Sequence, residues 1–420
     1  MSPRSRCPAV VSCSCCGRGS RWSSSCSPAD LGAFGTLWAV RHCSHADRGS
    51  LWRSAGCTYR SPTRGATVTD LFLPYQLGSL ELANRLVMAP LTRNRAGAGE
   101  APTGLAAEYY GQRASAGLII SEGAQPSAVG QGYPHTPGLH TDDQVAGWTL
   151  VADAVHARGG KIVAQLMHAG RISHQAITGL RPVAPSAVRP AGEVYTEQGM
   201  QAFEMPRALE TAELPGVVAE YVDAARRAVR AGLDGVELHA ANGYLLQQFL
   251  ADGSNTRTDG YGGSPQNRAR FVVEVAAAVA EAIGADKVGI RISPAGTFND
   301  ITETETEQTY AALLDGLNPL GLLYLHILEG PDTDFHEQLR KHWDGTVIFN
   351  TGFTGPSDLA TAQEAVDTGA TDLFCIGRGF LANPDLVERL RIGAELNEPD
   401  MPTFYSGGAK GYTDYPVMSA

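Results

Sequence analysis

Residues 235–250 read GVELHAANGYLLQQFL, an apolar run followed by spaced polar side chains and then a helix-like segment. The apolar run is typical of a strand buried on both faces of a parallel sheet. Directly after it stand His239, Asn242 and Tyr244. Polar residues at the end of a buried strand raise the question of whether the fold delivers them to a site.

Seven further strand-like runs resemble the first, and amphipathic helical patterns separate them. The eight runs, in chain order, are RLVMAPL (85–91), GLIISEG (117–123), KIVAQLMH (161–168), GVELHAA (235–241), KVGIRIS (287–293), LLYLHIL (322–328), TVIFNTG (346–352) and TDLFCIG (371–377). Helical patterns cover residues 142–159, 217–232 and 383–393.

Two of the helical patterns have an apolar stripe at helical spacing. The stripes consist of Val145, Trp148, Ala152 and Val155 in the first, and Val218, Tyr221, Ala225 and Val229 in the second. Buried strands that alternate with such helices indicate a parallel sheet covered on both faces. Eight units favour an α/β fold of the closed (β/α)₈ TIM-barrel type over an open doubly wound sheet, and the first strand lacks the GxGxxG turn of the latter.

Residues 1–66 differ in composition from the rest of the chain. They are rich in Ser, Arg, Cys and Gly and contain seven of the eight cysteines, in a spacing that matches no ordinary zinc site. We expect a low-complexity, disordered extension, with an organelle transit peptide or a metal-binding module as alternatives. The barrel domain then covers residues 67–420, and its single cysteine, Cys375, predicts a domain without disulfides.

The charge distribution argues against several classes of partner. Nine arginines and two aspartates give residues 1–66 a charge of +7, which leaves −18 for residues 67–420. So acidic a domain is unsuited to nucleic acid, and no apolar run is long enough to cross a bilayer. We therefore expect small-molecule partners. Because residues 1–66 show no clear export signal, we also expect a cytoplasmic protein. An acidic surface is compatible with a monomer or a homodimer, and we expect no bound metal.

Glycines follow the last two predicted strands, where barrels commonly bind phosphate. The segments are NTGFTG (350–355) and IGRGF (376–380), and the second contains Arg378. Backbone N–H groups exposed at glycines can approach an anion that an arginine neutralises. Ordinary turns are the alternative, but two such segments with an arginine favour a phosphate site.

The other strand ends carry groups suited to a flat heterocycle and its reaction partner. Gln165 and Arg291 can pair with a ring edge and hold negative charge on it, unless Arg291 only forms a structural ion pair. His239 and Asn242 can donate to one carbonyl or nitro oxygen, and the phenol of Tyr244 can supply a proton. A buried core histidine and a packed tyrosine are the alternative for the last group.

Nine longer segments, spread in order over the predicted barrel, form a specific series. They are MAPLTRNRA (88–96), SEGAQPSAVGQGY (121–133), PGLHTDDQ (137–144), QLMHAGRISH (165–174), VELHAANGYLLQQFL (236–250), TDGYGGSPQNRARF (258–271), GIRISP (289–294), YLHILEGP (324–331) and GYTDYP (411–416). On these segments the whole barrel resembles the Old Yellow Enzyme family of FMN-dependent ene-reductases, and especially its N-ethylmaleimide and pentaerythritol tetranitrate reductases.

The resemblance implies non-covalent FMN that is reduced by NADPH or NADH and reoxidised by an activated alkene, a quinone or a nitro compound. It assigns cofactor contacts to Pro90, Leu91, Thr92, Gly123, Gln165, His239, Asn242, Arg291, Gly352, Phe353, Gly377 and Arg378. It assigns the substrate pocket to Tyr133, Met167, His239, Asn242, Tyr244, Phe404 and Tyr405. His239 and Asn242 would bind the electron-withdrawing group, and Tyr244 would protonate the substrate.

The sequence departs from the family pattern at one position, and three other functional interpretations compete with this one. Met167 stands where relatives often have tryptophan, which implies a differently shaped pocket. A 2-hydroxy-acid oxidase would need groups that hold a carboxylate, and the dienoyl-CoA reductase branch would need an iron–sulfur cysteine cluster that this chain lacks after the barrel. A non-catalytic flavin- or ligand-binding barrel is the alternative from another functional class.

Overall fold

The structure is a computed structural model that describes residues 70–330, 333–352 and 358–419, with the backbone alone for residues 333 and 334. The predicted extension of residues 1–66, the first residues of the predicted barrel domain and the site residue Phe353 lie outside the described residues.

Eight parallel strands close into a barrel, which confirms the predicted fold class. All eight predicted runs form its strands. The strands are β1 (Leu86–Met88), β2 (Leu118–Ala124), β3 (Ile162–Leu166), β4 (Gly235–Ala240), β5 (Val288–Ile292), β6 (Tyr324–Leu328), β7 (Val347–Asn350) and β8 (Leu373–Ile376). Hydrogen bonding runs in chain order from β1 to β8, and β8 pairs with β1.

One helix follows each strand and covers the outside of the barrel. The helices are α1 (Gly104–Gln112), α2 (Asp142–His156), α3 (Leu214–Arg230), α4 (Pro265–Ile283), α5 (Thr306–Leu317), α6 (Thr333–His342), α7 (Leu359–Asp367) and α8 (Leu386–Ile392). The predicted stripe of α2 is fully buried. In α3 the stripe is displaced, because Val218 and Val229 are only half-buried while Val217, Ala224 and Ala228 join Tyr221 and Ala225 inside.

Shorter elements occur in addition to the eight strands and eight helices of the barrel. Short α-helices span Gln175–Thr178, Leu245–Leu250 and Arg378–Ala382, and 3₁₀ turns span Ala98–Glu100, Ala128–Gly130, Thr211–Glu213, Ala285–Lys287, Phe298–Asp300, Asn318–Leu320 and Met401–Thr403. The extra strands are Tyr75–Leu77 with Leu80–Leu82, Val183–Ala184 with Arg207–Ala208, and Glu193–Thr196 with Gly199–Ala202.

An apolar plug closes the end of the barrel at which the strands begin. Leu77 and Leu82 of the first hairpin pack against Val87, Leu118 and Val163 of the barrel. Because this end is filled with apolar side chains, the opposite end, where the strands finish, is left for polar groups. Within the described part of the chain, no helix is both long and apolar enough to span a bilayer.

Candidate active site

A cavity of about 1430 Å³ opens at the carboxyl ends of the barrel strands. Its size suits a small-molecule site larger than an ordinary single-ligand pocket. All but two of the predicted site residues line it, namely Pro90, Leu91, Thr92, Tyr133, Gln165, Met167, His239, Asn242, Tyr244, Arg291, Gly352, Gly377, Arg378, Phe404 and Tyr405. The structure therefore brings together residues that the sequence spreads over more than three hundred positions.

Gly123 and Phe353 are the two exceptions. Phe353 is not described, and Gly123 lies in β2 behind the lining, where it pairs with Gln165 of β3. A Cβ atom at Gly123 would stand 2.7 Å from the sulfur of Met167, which packs with Tyr133 and Tyr244. Gly123 thus leaves the room that the Met167 side chain needs beside the cavity.

A strained turn directly after β4 positions the three polar residues of the opening stretch. Asn242 has a left-handed φ of 55°, and Gly243 has a φ of 78°. The turn is stabilised because the Asn242 N–H donates to Ser293 Oγ at 2.8 Å and Asn299 Nδ2 donates to the Asn242 carbonyl at 2.8 Å. A chain that turns this sharply can place the side chains on both sides of the turn in one cavity.

Tyr244 lies at the start of the short helix Leu245–Leu250 with its phenol inside the cavity. Its hydroxyl is 3.0 Å from that of Tyr133, and its ring is 4.9 Å from the His239 ring between centroids. Burial, with the neighbouring Tyr133 hydroxyl, raises the pKa of Tyr244 well above its ordinary value. The phenol therefore keeps its proton near neutral pH and can act as a proton donor.

His239 is buried, and one of its ring nitrogens is unpaired in the described part of the chain. Its Nδ1 atom has no hydrogen-bond partner among the described residues. Burial and the positive charge of Arg291 lower the pKa of His239 well below its ordinary value, so the imidazole is neutral. A neutral imidazole can donate one hydrogen bond to an oxygen of a bound molecule.

Gln165 of β3 and Arg291 of β5 line the same cavity, on the two strands that pair with β4. The Nε of Arg291 is buried without a hydrogen-bond partner among the described residues, and Arg291 pairs in register with His239. The predicted alternative, a structural ion pair, is absent from the salt bridges of the described residues. A buried guanidinium without a protein partner suits a ligand that carries negative charge.

The ends of β7 and β8 leave room for an anion. Asn350 joins them, because its Nδ2 donates to the Cys375 carbonyl at 2.9 Å and its Oδ1 accepts from Gly352 N–H at 3.0 Å. A Cβ atom at Gly352 or at Gly377 would meet no atom closer than 3.5 Å. Both backbones are thus open to the cavity beside Arg378. Because the Gly352 N–H donates to Asn350, the donors are the Gly377 N–H and the Arg378 guanidinium, and they fit the phosphate of a flat, phosphate-bearing heterocycle such as FMN.

Two buried arginines hold the C-terminal loop (residues 403–411) at the rim of the cavity. Arg95 donates to the carbonyls of Thr403, Phe404, Ser406, Gly408 and Lys410, and Arg93 donates to those of Phe404 and Gly411. Both guanidinium groups also stack over the Tyr412 ring. Through these bonds the segment after β1 positions Phe404 and Tyr405, which lie at the far end of the sequence.

Several cavity residues were not predicted from the sequence. The hairpin between β3 and α3 contributes Val194 and the adjacent Phe203, and the loop after β5 contributes Asn299. The alternation in VYTEQGMQAF was the available signal for the hairpin. No local pattern identifies Asn299, since its importance lies in its hydrogen bond to the Asn242 turn.

Comparisons with known proteins agree with this geometry. Residues 70–397 match the family described as the NADH:flavin oxidoreductase / NADH oxidase family. The chain is 42% identical over 373 residues to putative 12-oxophytodienoate reductase 11 of Oryza sativa subsp. japonica, an alignment that covers 84% of this chain and 99% of the relative. It is 41% identical over 364 residues to a probable flavin mononucleotide-dependent alkene reductase of Leishmania infantum, covering 84% and 98%.

Solved structures show the same similarity in three dimensions. Morphinone reductase in complex with tetrahydroNAD superposes with a TM-score of 0.80 at 50% identity and covers 84% of this chain and 98% of its own. An old yellow enzyme homologue from Zymomonas mobilis superposes with a TM-score of 0.80 at 40% identity, covering 83% and 100%.

The hydrogen bonds of Arg95 generate a prediction about the C-terminal loop. Arg95→Met removes the guanidinium donors and leaves the carbonyls of Thr403, Ser406, Gly408 and Lys410 to solvent, while Phe404 keeps its bond to Arg93, so amide hydrogen exchange in residues 403–411 should accelerate by about tenfold or more. Mass spectrometry of exchanged peptides measures this. Arg226→Met, which removes an exposed arginine of α3, is the control. Equal exchange in the loop of both variants would contradict the assigned role of Arg95.

Proposed function

The chain belongs to the NADH:flavin oxidoreductase / NADH oxidase family, within its Old Yellow Enzyme group, and from this premise we propose that it reduces activated carbon–carbon double bonds. Its cofactor is FMN, and its reductant is NADPH or NADH. The proposed substrates are α,β-unsaturated carbonyl and nitro compounds, and the same site would accept quinones or reduce nitro and nitrate-ester groups.

The observation that carries the proposal is the convergence of His239, Asn242 and Tyr244 in one cavity. The neutral imidazole of His239, the carboxamide of Asn242 and the protonated phenol of Tyr244 all line this cavity. Two donors for a substrate oxygen beside a proton donor are the groups that reduction of a polarised alkene requires. A barrel that only binds a ligand has no need of the third group.

The cofactor would be held by residues from six strand ends. Gln165 and Arg291 would bind the edge of its ring, and Pro90, Leu91, Thr92 and Gly123 would lie against or beside the ring. The phosphate would be bound by Gly352, Phe353, Gly377 and Arg378. Bound FMN supplies the hydride that the substrate receives, after taking one from NADPH or NADH.

The protein supplies binding, polarisation and the proton. His239 and Asn242 would donate to the carbonyl or nitro oxygen and thereby stabilise the negative charge that develops there. Tyr244 would deliver its proton to the α-carbon, and the Tyr133 hydroxyl, 3.0 Å away, can donate a hydrogen bond to the phenolate that remains. Met167, Phe404 and Tyr405 would shape the space around the substrate.

The proposal is tested by the visible spectrum of the purified protein. We expect oxidised-flavin absorption that bleaches when NADPH or NADH is added under nitrogen and returns on addition of 2-cyclohexen-1-one. Bleaching without recovery across a panel of enones, nitroalkenes and quinones would favour a barrel that binds flavin and does not reduce these substrates. A colourless protein that cannot be reconstituted with FMN would refute the proposal.

The assignment of Arg378 to the phosphate predicts selective loss of FMN affinity. Arg378→Gln removes a charge-assisted contact, so the Kd for FMN should rise by about 10- to 100-fold while the Kd for riboflavin, which lacks the phosphate, stays nearly constant. Flavin fluorescence quenching with the apoprotein measures both constants. Arg391→Gln, on the exposed face of α8, is the matched control. Equal losses for both flavins would show that Arg378 does not contact the phosphate.

The proton-donor role of Tyr244 predicts an effect on one half-reaction alone. Tyr244→Phe should slow enone-dependent flavin reoxidation by about 100-fold or more and leave reduction by the nicotinamide within about twofold, as stopped-flow absorbance can measure. Because the pKa of Tyr244 is raised, the wild-type reoxidation rate should be constant between about pH 6 and pH 9. Tyr261→Phe is the control, because the Tyr261 hydroxyl donates to Glu274 Oε2 at 3.0 Å outside the cavity. Similar slowing in both variants would remove Tyr244 from the reaction.

A further inference from the structure

A fully buried carboxylate lies behind the cavity and takes no part in the function proposed above. Glu237 is on β4, two residues before His239, and neither Glu237 nor His326 of β6 has any exposed surface. Gln165 Nε2 donates to Glu237 Oε1 at 2.8 Å, and His326 Nδ1 lies 2.8 Å from Glu237 Oε2. Both oxygens of the carboxylate are therefore bound to side chains of other barrel strands, Gln165 of the adjacent β3 and His326 of β6, which lies beyond β5.

The pair carries one negative charge. Burial alone would raise the pKa of Glu237, but His326, Arg291 and the Gln165 hydrogen bond outweigh it and hold that pKa below its ordinary value. Burial and the positive charge of Arg291 lower the pKa of His326, and together they outweigh the opposite effect of Glu237. Glu237 is thus a carboxylate, and His326 is a neutral imidazole that donates from Nδ1.

The carboxylate fixes which end of the Gln165 amide faces the cavity. A carboxylate only accepts hydrogen bonds, so the amide must turn its NH₂ group toward Glu237. The Gln165 oxygen is then left for the cavity, which Gln165 lines, and no described residue donates to it. A ligand that meets this oxygen must offer a donor, as the N–H of a flavin pyrimidine ring does.

The same carboxylate offsets the charge of Arg291 without contacting it. Arg291 is next to the pair in the barrel, since it is in register with His239 on one side and with His326 on the other. Arg291 is one of the charges that lower the pKa of Glu237, so the two side chains interact electrostatically. A buried negative charge at this place opposes any negative charge that a ligand gains in the cavity.

We propose that Glu237 is a positioning residue for the flavin. Glu237 is held by His326, orients the Gln165 amide and keeps the reduction potential of bound FMN low. The inference rests on the proposed function, because it takes Gln165 and Arg291 to face the pyrimidine ring. A low potential favours hydride donation to the substrate. Glu237 acts through Gln165 and the local field, and it touches neither cofactor nor substrate.

The test is the reduction potential of FMN bound to Glu237→Gln. The variant keeps an oxygen that can accept from Gln165, with His326 in its other tautomer, and loses the negative charge. Reduced FMN, which carries negative charge on its pyrimidine ring, should bind about tenfold more tightly relative to oxidised FMN. For a two-electron couple, this corresponds to a potential about 30 mV more positive. Equilibration with xanthine oxidase and a reference dye measures it.

Glu303→Gln is the matched control, because Glu303 is a second mostly buried carboxylate whose partners are Gln247, Tyr310 and the Ala295 N–H. It should leave the potential at the wild-type value.

A pair of His326 variants tests the same charge without changing Glu237. His326→Leu removes the donor and favours a protonated Glu237, so the potential should rise at neutral pH and return toward wild type at higher pH. His326→Asn keeps an N–H donor and should resemble wild type.

The outcomes separate this inference from the proposed function. If folded Glu237→Gln and His326→Leu hold FMN at the wild-type potential, Glu237 is a packing residue and the inference is wrong, even if enone reduction continues. A lower melting temperature without a change in potential leads to the same conclusion. If Glu237→Gln does not fold, the two His326 variants decide. Failure of the wild-type protein to bind FMN would instead overturn the proposed function.

Discussion

Closure of the parallel barrel is the constraint on which the rest of the structure depends. Because all eight strands run in one direction and pair around a circle, their carboxyl ends meet at a single opening. Residues as far apart in the chain as Pro90 and Arg378 therefore line one cavity. The opposite end is sealed by the apolar hairpin at Tyr75–Leu82, so polar side chains accumulate where the strands finish.

The polar side chains inside the barrel stabilise one another and at the same time leave specific atoms unsatisfied. Glu237, Gln165 and His326 form a hydrogen-bonded set, and a carboxylate buried without such partners would be strongly destabilising. Next to this set, Arg291 Nε and His239 Nδ1 have no partner among the described residues. A carboxylate with both oxygens bonded behind the cavity, and unpaired donors and acceptors that face the cavity, are the arrangement expected of a binding site that is formed before its ligands arrive.

Much of this could be predicted from the sequence, for reasons that are local. Each strand run was recognisable because apolar residues cluster at strand length between helical patterns, and the polar groups at the run ends could be read directly. The α3 stripe was right at Tyr221 and Ala225 and wrong at Val218, because Val217 and Val218 are both apolar and only packing decides which of the two faces the barrel. The hairpin at Glu193–Ala202 was missed because its four-residue strands give a weak alternation signal.

The sequence by itself determined the barrel, the order of its strands and the chemical character of most groups at the strand ends, because these follow from periodicity and residue type. Tertiary structure decided which of those groups meet. Tyr133 and Tyr244 are 111 residues apart, Glu237 and His326 are 89 apart, and Arg95 reaches a carbonyl 308 residues away. Such contacts are set by strand register and loop conformation, and a pattern in the local sequence carries no information about a partner on another strand.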